Sequence, residues 1–143
     1  MPLAGRNNLN IVLMNISFKP AIYLETYFFD ITNKHLRDLM VRFRIGASEI
    51  KLHKFRFSSD RSQTLQCPLC NCRLEDEMHF LFHCKNLQFL RAKYLPEKYC
   101  KFPTYDTLQQ MFNDRGCVHS LARYIYYGLK LRRERTECDM KSV

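Results

Sequence analysis

Glycine is scarce in this sequence: four in 143 residues, none arranged as a phosphate-cradling loop. A Rossmann or P-loop nucleotide site is therefore unsupported. Long apolar runs are missing too. No stretch of about 18 uncharged apolar residues occurs, which excludes a membrane-spanning helix. The most apolar opening, NLNIVLMNISF from Asn8 to Phe18, is short, interrupted by asparagines and closed by Lys19-Pro20. It makes a poor secretion signal, because its apolar core is diluted and no clear small-residue cleavage site follows. The compartment expected is therefore reducing and intracellular, nucleus or cytoplasm. There an odd cysteine count, seven, poses no pairing problem, and clustered cysteines read as metal ligands before disulfides. Internal repeats and low-complexity segments are also lacking.

Negative charge is in deficit. Fourteen acids face 23 Lys and Arg, for a net charge of +9 and a pI near 9.3. Such a balance favours a polyanionic partner, nucleic acid being the commonest, although a basic surface also serves plain solubility. The 46% hydrophobic content excludes a largely disordered chain. The length suits one domain.

The charge is unevenly spread. Residues 1–33 balance, with Arg6 and Lys19 against Glu25 and Asp30. Residues 34–61 carry Lys34, Arg37, Arg42, Arg44, Lys51, Lys54, Arg56 and Arg61 against only Asp38, Glu49 and Asp60. The organisation expected is a poorly defined segment over 1–20, one zinc-stabilised helical domain over 21–135 with its binding core at 65–86, and a polar tail over 136–143.

The periodicity is mostly helical. Thr32 or Asn33 can cap a helix whose apolar positions Leu36, Leu39, Met40 and Phe43 recur at three- and four-residue spacing, with Gly46 as its stop. In EIKLHKFRF, Ile50 and Leu52 alternate with Lys51 and His53, which favours an extended piece slightly over a short helix. SSDRSQ, from Ser58 to Gln63, has the composition of a loop. Downstream, NLQFLRAKYL reads as a helix ended by Pro96. A further helix starts behind Pro103, capped by Thr104, and a last one spans about Val118 to Arg133 with Leu121, Ile125, Gly128 and Leu129 inward.

Residues 67 to 85, CPLCNCRLEDEMHFLFHCK, hold four of the seven cysteines and two of the five histidines. Cys67 and Cys70 are spaced so that both sulfurs of a tight turn can face one ion. His79 and Cys84 complete a Cys-x2-Cys-x8-His-x4-Cys set. Three thiolates and an imidazole make a closed tetrahedral zinc site with no position left for water, a structural zinc rather than a hydrolytic one. Other sets compete. His83 could replace Cys84 in a two-Cys, two-His finger, although the loop of eight is shorter than the usual ~12. Cys72 with the other three cysteines could hold an iron-sulfur cluster, but this idles His79. A redox CPLC pair lacks a surrounding βαβ pattern. The plainest alternative is a chance group of buried apolar cysteines. Glu75, Asp76 and Glu77 are expected at a helix start, their charge complementing its exposed amides.

Taken in order, LMVRFRIGASEIKLHKFRF, CPLC, LEDEMHFLFHC and NLQFLRAKYLP resemble the zinc-binding domain found C-terminal to the reverse transcriptase in non-LTR (LINE-type) retrotransposon polyproteins. The match spans roughly residues 31 to 96, and the final LARYIYYGLKLRR is similar to how such polyproteins end. The resemblance implies ligands at Cys67, Cys70, His79 and Cys84, the set the spacing favours. It also implies a stand-alone fragment without polymerase or endonuclease, hence a non-catalytic one. Phosphate contacts are then expected from Arg42, Arg44, Lys51, Lys54, Arg56 and Arg61, joined by Lys130, Arg132 and Arg133 of the tail. His53 belongs to the same basic run. Phe55 and Phe57 are placed either to stack on unpaired bases or in the core, and Phe43 in the core. The rival expectation is a protein-docking module that uses Tyr124, Tyr126 and Tyr127 of the last helix.

Overall fold

The computed structural model describes residues 27–142. The N-terminal segment expected over 1–20 and the NLNIVLMNISF run lie outside them. The fold is mainly α, with no strand among the described residues. In chain order the elements are α1 (Tyr27–Asp30), α2 (Lys34–Arg44), α3 (Lys51–Phe57), a π-helical turn (His79–His83), a 3-10 turn (Lys85–Leu87), α4 (Gln88–Tyr94), α5 (Glu97–Cys100), α6 (Tyr105–Asn113) and α7 (Val118–Lys141). The long α7 is the spine, and α1, α2, α4 and α6 pack along it. No described helix is long and apolar enough to cross a membrane.

Local chemistry sets the ends of α2. Asn33 accepts a hydrogen bond from Leu36 N at 3.2 Å, satisfying one of the first amides. At the other end Gly46 adopts φ +73°, where its N–H meets Phe43 O and that of Ala47 reaches Arg42 O. This pair of bonds is a Schellman closure, which needs a left-handed residue after the cap. Gly46 is also crowded: an added Cβ would lie 3.1 Å from Arg56 Nη1. Thr104 and Thr107 cap α6 reciprocally, each side chain bonding the other's backbone N–H.

The core centres on a run of aromatic rings. Phe43 packs on Phe80 at 5.6 Å, and Phe80 meets Tyr124 edge-on at 5.7 Å. The Tyr124 hydroxyl donates to Phe80 O at 2.5 Å. Gly128 makes room for the same ring, since a Cβ there would stand 2.7 Å from Phe80 Cζ. Tyr124 is thus a core residue, which removes it from the expected docking face.

Two expectations on secondary structure need correction. EIKLHKFRF forms α3 and is not extended: Leu52 and His53, adjacent in sequence, are both buried, a pattern that alternation forbids. The last helix does not stop near Arg133. It runs on to Lys141, so the polar end is helical, aided by an Arg135–Asp139 pair one turn apart.

Candidate metal centre and its surroundings

Cys67 and Cys70 sit on a tight knuckle. Asn71 N donates to Cys67 O and Cys67 N to Cys72 O, both at 2.9 Å. Closing the loop requires a left-handed residue, supplied by Asn71 at φ 63°; asparagine tolerates that conformation better than most side chains. Both sulfurs are thereby turned to one side. The Asn86 side chain donates to Leu69 O and ties the knuckle to the helical segment behind it.

His79 and Cys84 come from the π-helical turn. In an α-helix, at about 100° per residue, two positions five apart diverge by roughly 140°. Here Cys84 N closes instead on His79 O at 2.7 Å, an i to i+5 bond that widens the turn. The extra residue per turn brings Cys84 round to the side of His79. Asp76 caps the start, its carboxylate accepting from His79 N at 2.7 Å. Buried Arg91 closes the end by donating to the carbonyls of Leu81 and Cys84.

The four donor atoms converge. Cys67 Sγ, Cys70 Sγ, His79 and Cys84 Sγ offer ligand atoms all within 4.8 Å of one another. Cys67 and Cys84 sulfurs are 3.9 Å apart, and Cys70 Sγ lies 3.3 Å from His79 Nε2. A tetrahedral ion with sulfur bonds of about 2.3 Å would set two sulfurs about 3.8 Å apart, and a sulfur and a nitrogen about 3.6 Å. The group can hold a metal ion with only small adjustment. The contact with Cys84, together with burial, pushes the Cys67 thiol up to about 12, while the same contact lowers Cys84. A metal ion there would bind these sulfurs in their deprotonated form. Cys72 and His83 are exposed and stand outside the cluster.

The acids between the ligand pairs behave differently from expectation. Only Asp76 serves the helix start. Glu75 is 0% exposed and holds the guanidinium of Arg132, itself 4% exposed, through bonds of 2.7 and 3.0 Å. It also accepts from Lys51 N at 2.7 Å. Glu77 accepts from His53 Nε2 at 2.7 Å and Arg56 Nη1 at 3.0 Å. Burial alone would raise the Glu77 carboxyl, but the hydrogen bond from His53 and the charge of Arg56 outweigh it and hold the group down to about 2. The Ser48 backbone N–H and hydroxyl both meet His53 Nδ1, at 3.1 and 2.7 Å, which places the ring proton on Nε2 facing Glu77. Strung between the metal ligands, this acidic segment clamps α3 on one side and α7 on the other.

These pairings thin out the expected phosphate contacts. Arg132 and Arg56 are committed to buried carboxylates, and Arg44 is buried, with Nη2 on Gln109 at 2.8 Å and its guanidinium over Phe112. None of the three can present its charge to a polyanion. Lys51 is half-buried, and Arg133 is exposed with Glu49 at 3.6 Å. Arg42, Lys54, Arg61 and Lys130 are exposed, with no carboxylate in ion-pair range among the described residues. Arg61 stacks its guanidinium 4.9 Å over half-buried Phe55. Phe57 is 75% exposed and so is not core, whereas Phe43 is.

Sequence reasoning missed Arg91 and the inward-facing Glu75 and Glu77. For Arg91 the available signal was a cation seven residues after the last ligand, on a helix whose side chains can reach back to carbonyls that need donors. For the two glutamates, spacing two apart around Asp76 gives no such cue. Comparison with protein-family models, with characterised proteins and with solved structures gives no match to this chain.

Proposed function

We propose that the chain is a zinc-stapled, non-catalytic module that binds RNA or DNA, similar in design to the region C-terminal to the reverse transcriptase of LINE-type polyproteins. Zinc is the ion that best suits the donor set: three soft thiolates and one imidazole at tetrahedral spacing favour it over oxygen-seeking cations. With all four positions taken by protein, its role is to hold the fold.

The observation that carries the nucleic-acid reading is a set of exposed cations that no described carboxylate pairs. Arg42, Lys54, Arg61 and Lys130 are exposed with no carboxylate in ion-pair range among the described residues, on a chain of net +9. Beside Lys54, exposed Phe57 edges an open groove with Ser58 and Gln63, where an unpaired base can stack. The protein-docking alternative loses Tyr124 to the core and retains only Tyr126 and Tyr127.

Fluorescence-anisotropy titration of a labelled single strand at several salt concentrations tests the reading. Four or five neutralised phosphates give log K a slope of about −3 against log salt on single strands. Lys54→Glu with Arg61→Glu should weaken binding and flatten the slope. Affinity that stays flat from low to moderate salt, or no binding to any strand, contradicts it.

A further inference from the structure

We propose that Tyr94, Tyr126 and Tyr127 form a second base-stacking platform, on the face of the molecule made by α2, α4 and α7, that takes unpaired bases of a single strand. The proposal rests on the nucleic-acid reading above. It adds the binding mode and a site that the basic run of α3 does not include.

The rings form a continuous line. Tyr94 and Tyr127 are parallel to within 12° with centroids 5.6 Å apart. At that separation parallel rings are offset rather than fully superposed. Tyr126 meets Tyr127 edge-on at 5.0 Å, and His35 of α2 meets Tyr126 edge-on at 5.7 Å. Tyr127 is 39% exposed, while Tyr94 and Tyr126 are half-buried and so held in place. Tyr127 is thus the ring of the strip most open to a ligand.

Charge says what covers it. On α7, Arg123 precedes the tyrosine pair by three and four residues and Lys130 follows by the same spacing, so cations flank the rings on one helix face. Both are exposed. Lys93 of α4 places its ammonium 5.2 Å over the Tyr94 ring. The nearest acid further along that face of α7, Glu134, lies one turn beyond Lys130. Rings alternating with cations match the alternation of bases and phosphates in a single strand, whose bases are free to stack on any aromatic face. A duplex hides those faces.

The chain has no tryptophan, so intrinsic emission comes from its eight tyrosines and can report the contact directly. Titrating the zinc-loaded protein with a uridine 12-mer should quench that emission in wild type. Tyr127→Ala should lower affinity for the 12-mer on the order of tenfold, within the range one stacked base supplies. It should leave affinity for a duplex of the same length, and the salt slope, unchanged. Tyr127→Phe should behave as wild type, and Tyr94→Leu should repeat the single-strand loss; circular dichroism checks that each variant is folded. Salt-dependent binding that survives unchanged in folded Tyr127→Ala and Tyr94→Leu overturns the platform and spares the nucleic-acid reading. Absence of salt-dependent binding in wild type overturns both. Concentration-dependent dimerisation abolished by Tyr127→Ala would assign the strip to a protein contact and also overturn the proposal.

Discussion

Replacing Glu75 by alanine should be among the most damaging single changes outside the metal ligands. Glu75 and Arg132 are almost fully buried and joined by two bonds, so the substitution leaves a guanidinium charge in the interior with neither. Stranding one partner of a buried pair costs about 3–5 kcal/mol. Loss of the acceptor for Lys51 N adds roughly 1 kcal/mol. The sum, about 4–6 kcal/mol, is a large share of the 5–15 kcal/mol typical of a domain. Arg132→Met should cost a similar 3–5 kcal/mol or so by stranding the carboxylate. The double variant Glu75→Leu with Arg132→Met removes both charges and should be more stable than either single variant. Urea unfolding followed by circular dichroism, at a fixed excess of Zn2+, gives the three values with a common slope. Single losses under about 1 kcal/mol, or a double loss equal to the sum of the singles, would refute the clamp.

Three further outcomes follow from named contacts. Gly128→Ala improves helix propensity by about 1 kcal/mol yet drives a methyl into the buried Phe80 ring, so it should lower the melting temperature; a rise would mean that the ring can yield. Glu77 is held at about 2 when folded, below its usual 4.5, so its contribution is present above pH 4.5 and fades as pH falls from 4.5 towards 2. Glu77→Gln should therefore be less stable than wild type at pH 7, with a difference that shrinks on acidification; a gap constant with pH would contradict the pairing. Cys84→Ser should abolish stoichiometric metal binding, whereas His83→Ala and Cys72→Ser should leave it intact, as read by metal analysis of the purified variants.

The candidate metal cluster was legible because short-range spacing determines it: a two-residue knuckle fixes one pair of sulfurs, and a single helical turn delivers the imidazole and the third sulfur. The ends of α2 and α6 were legible for the same reason, since Asn33, Gly46 and Thr104 act on their immediate neighbours. What escaped depends on contacts distant in sequence. Arg132 reads as surface charge until Glu75, 57 residues away, is seen to hold it, and Arg56 depends likewise on Glu77. The seven residues of α3 are too few for periodicity to separate helix from strand, and burial of both Leu52 and His53 follows from packing rather than pattern. The widened turn that swings Cys84 towards His79 has no composition signal.

Titration of reduced, metal-free protein with Co2+ and then Zn2+ tests the closed four-ligand centre most directly. The expected result is one equivalent of Co2+ giving thiolate charge-transfer and tetrahedral ligand-field bands, displaced stoichiometrically by Zn2+, with folding gained on the order of 10 kcal/mol and lost on chelation. Octahedral spectra, binding that survives in Cys84→Ser, or a fold indifferent to chelation would contradict it.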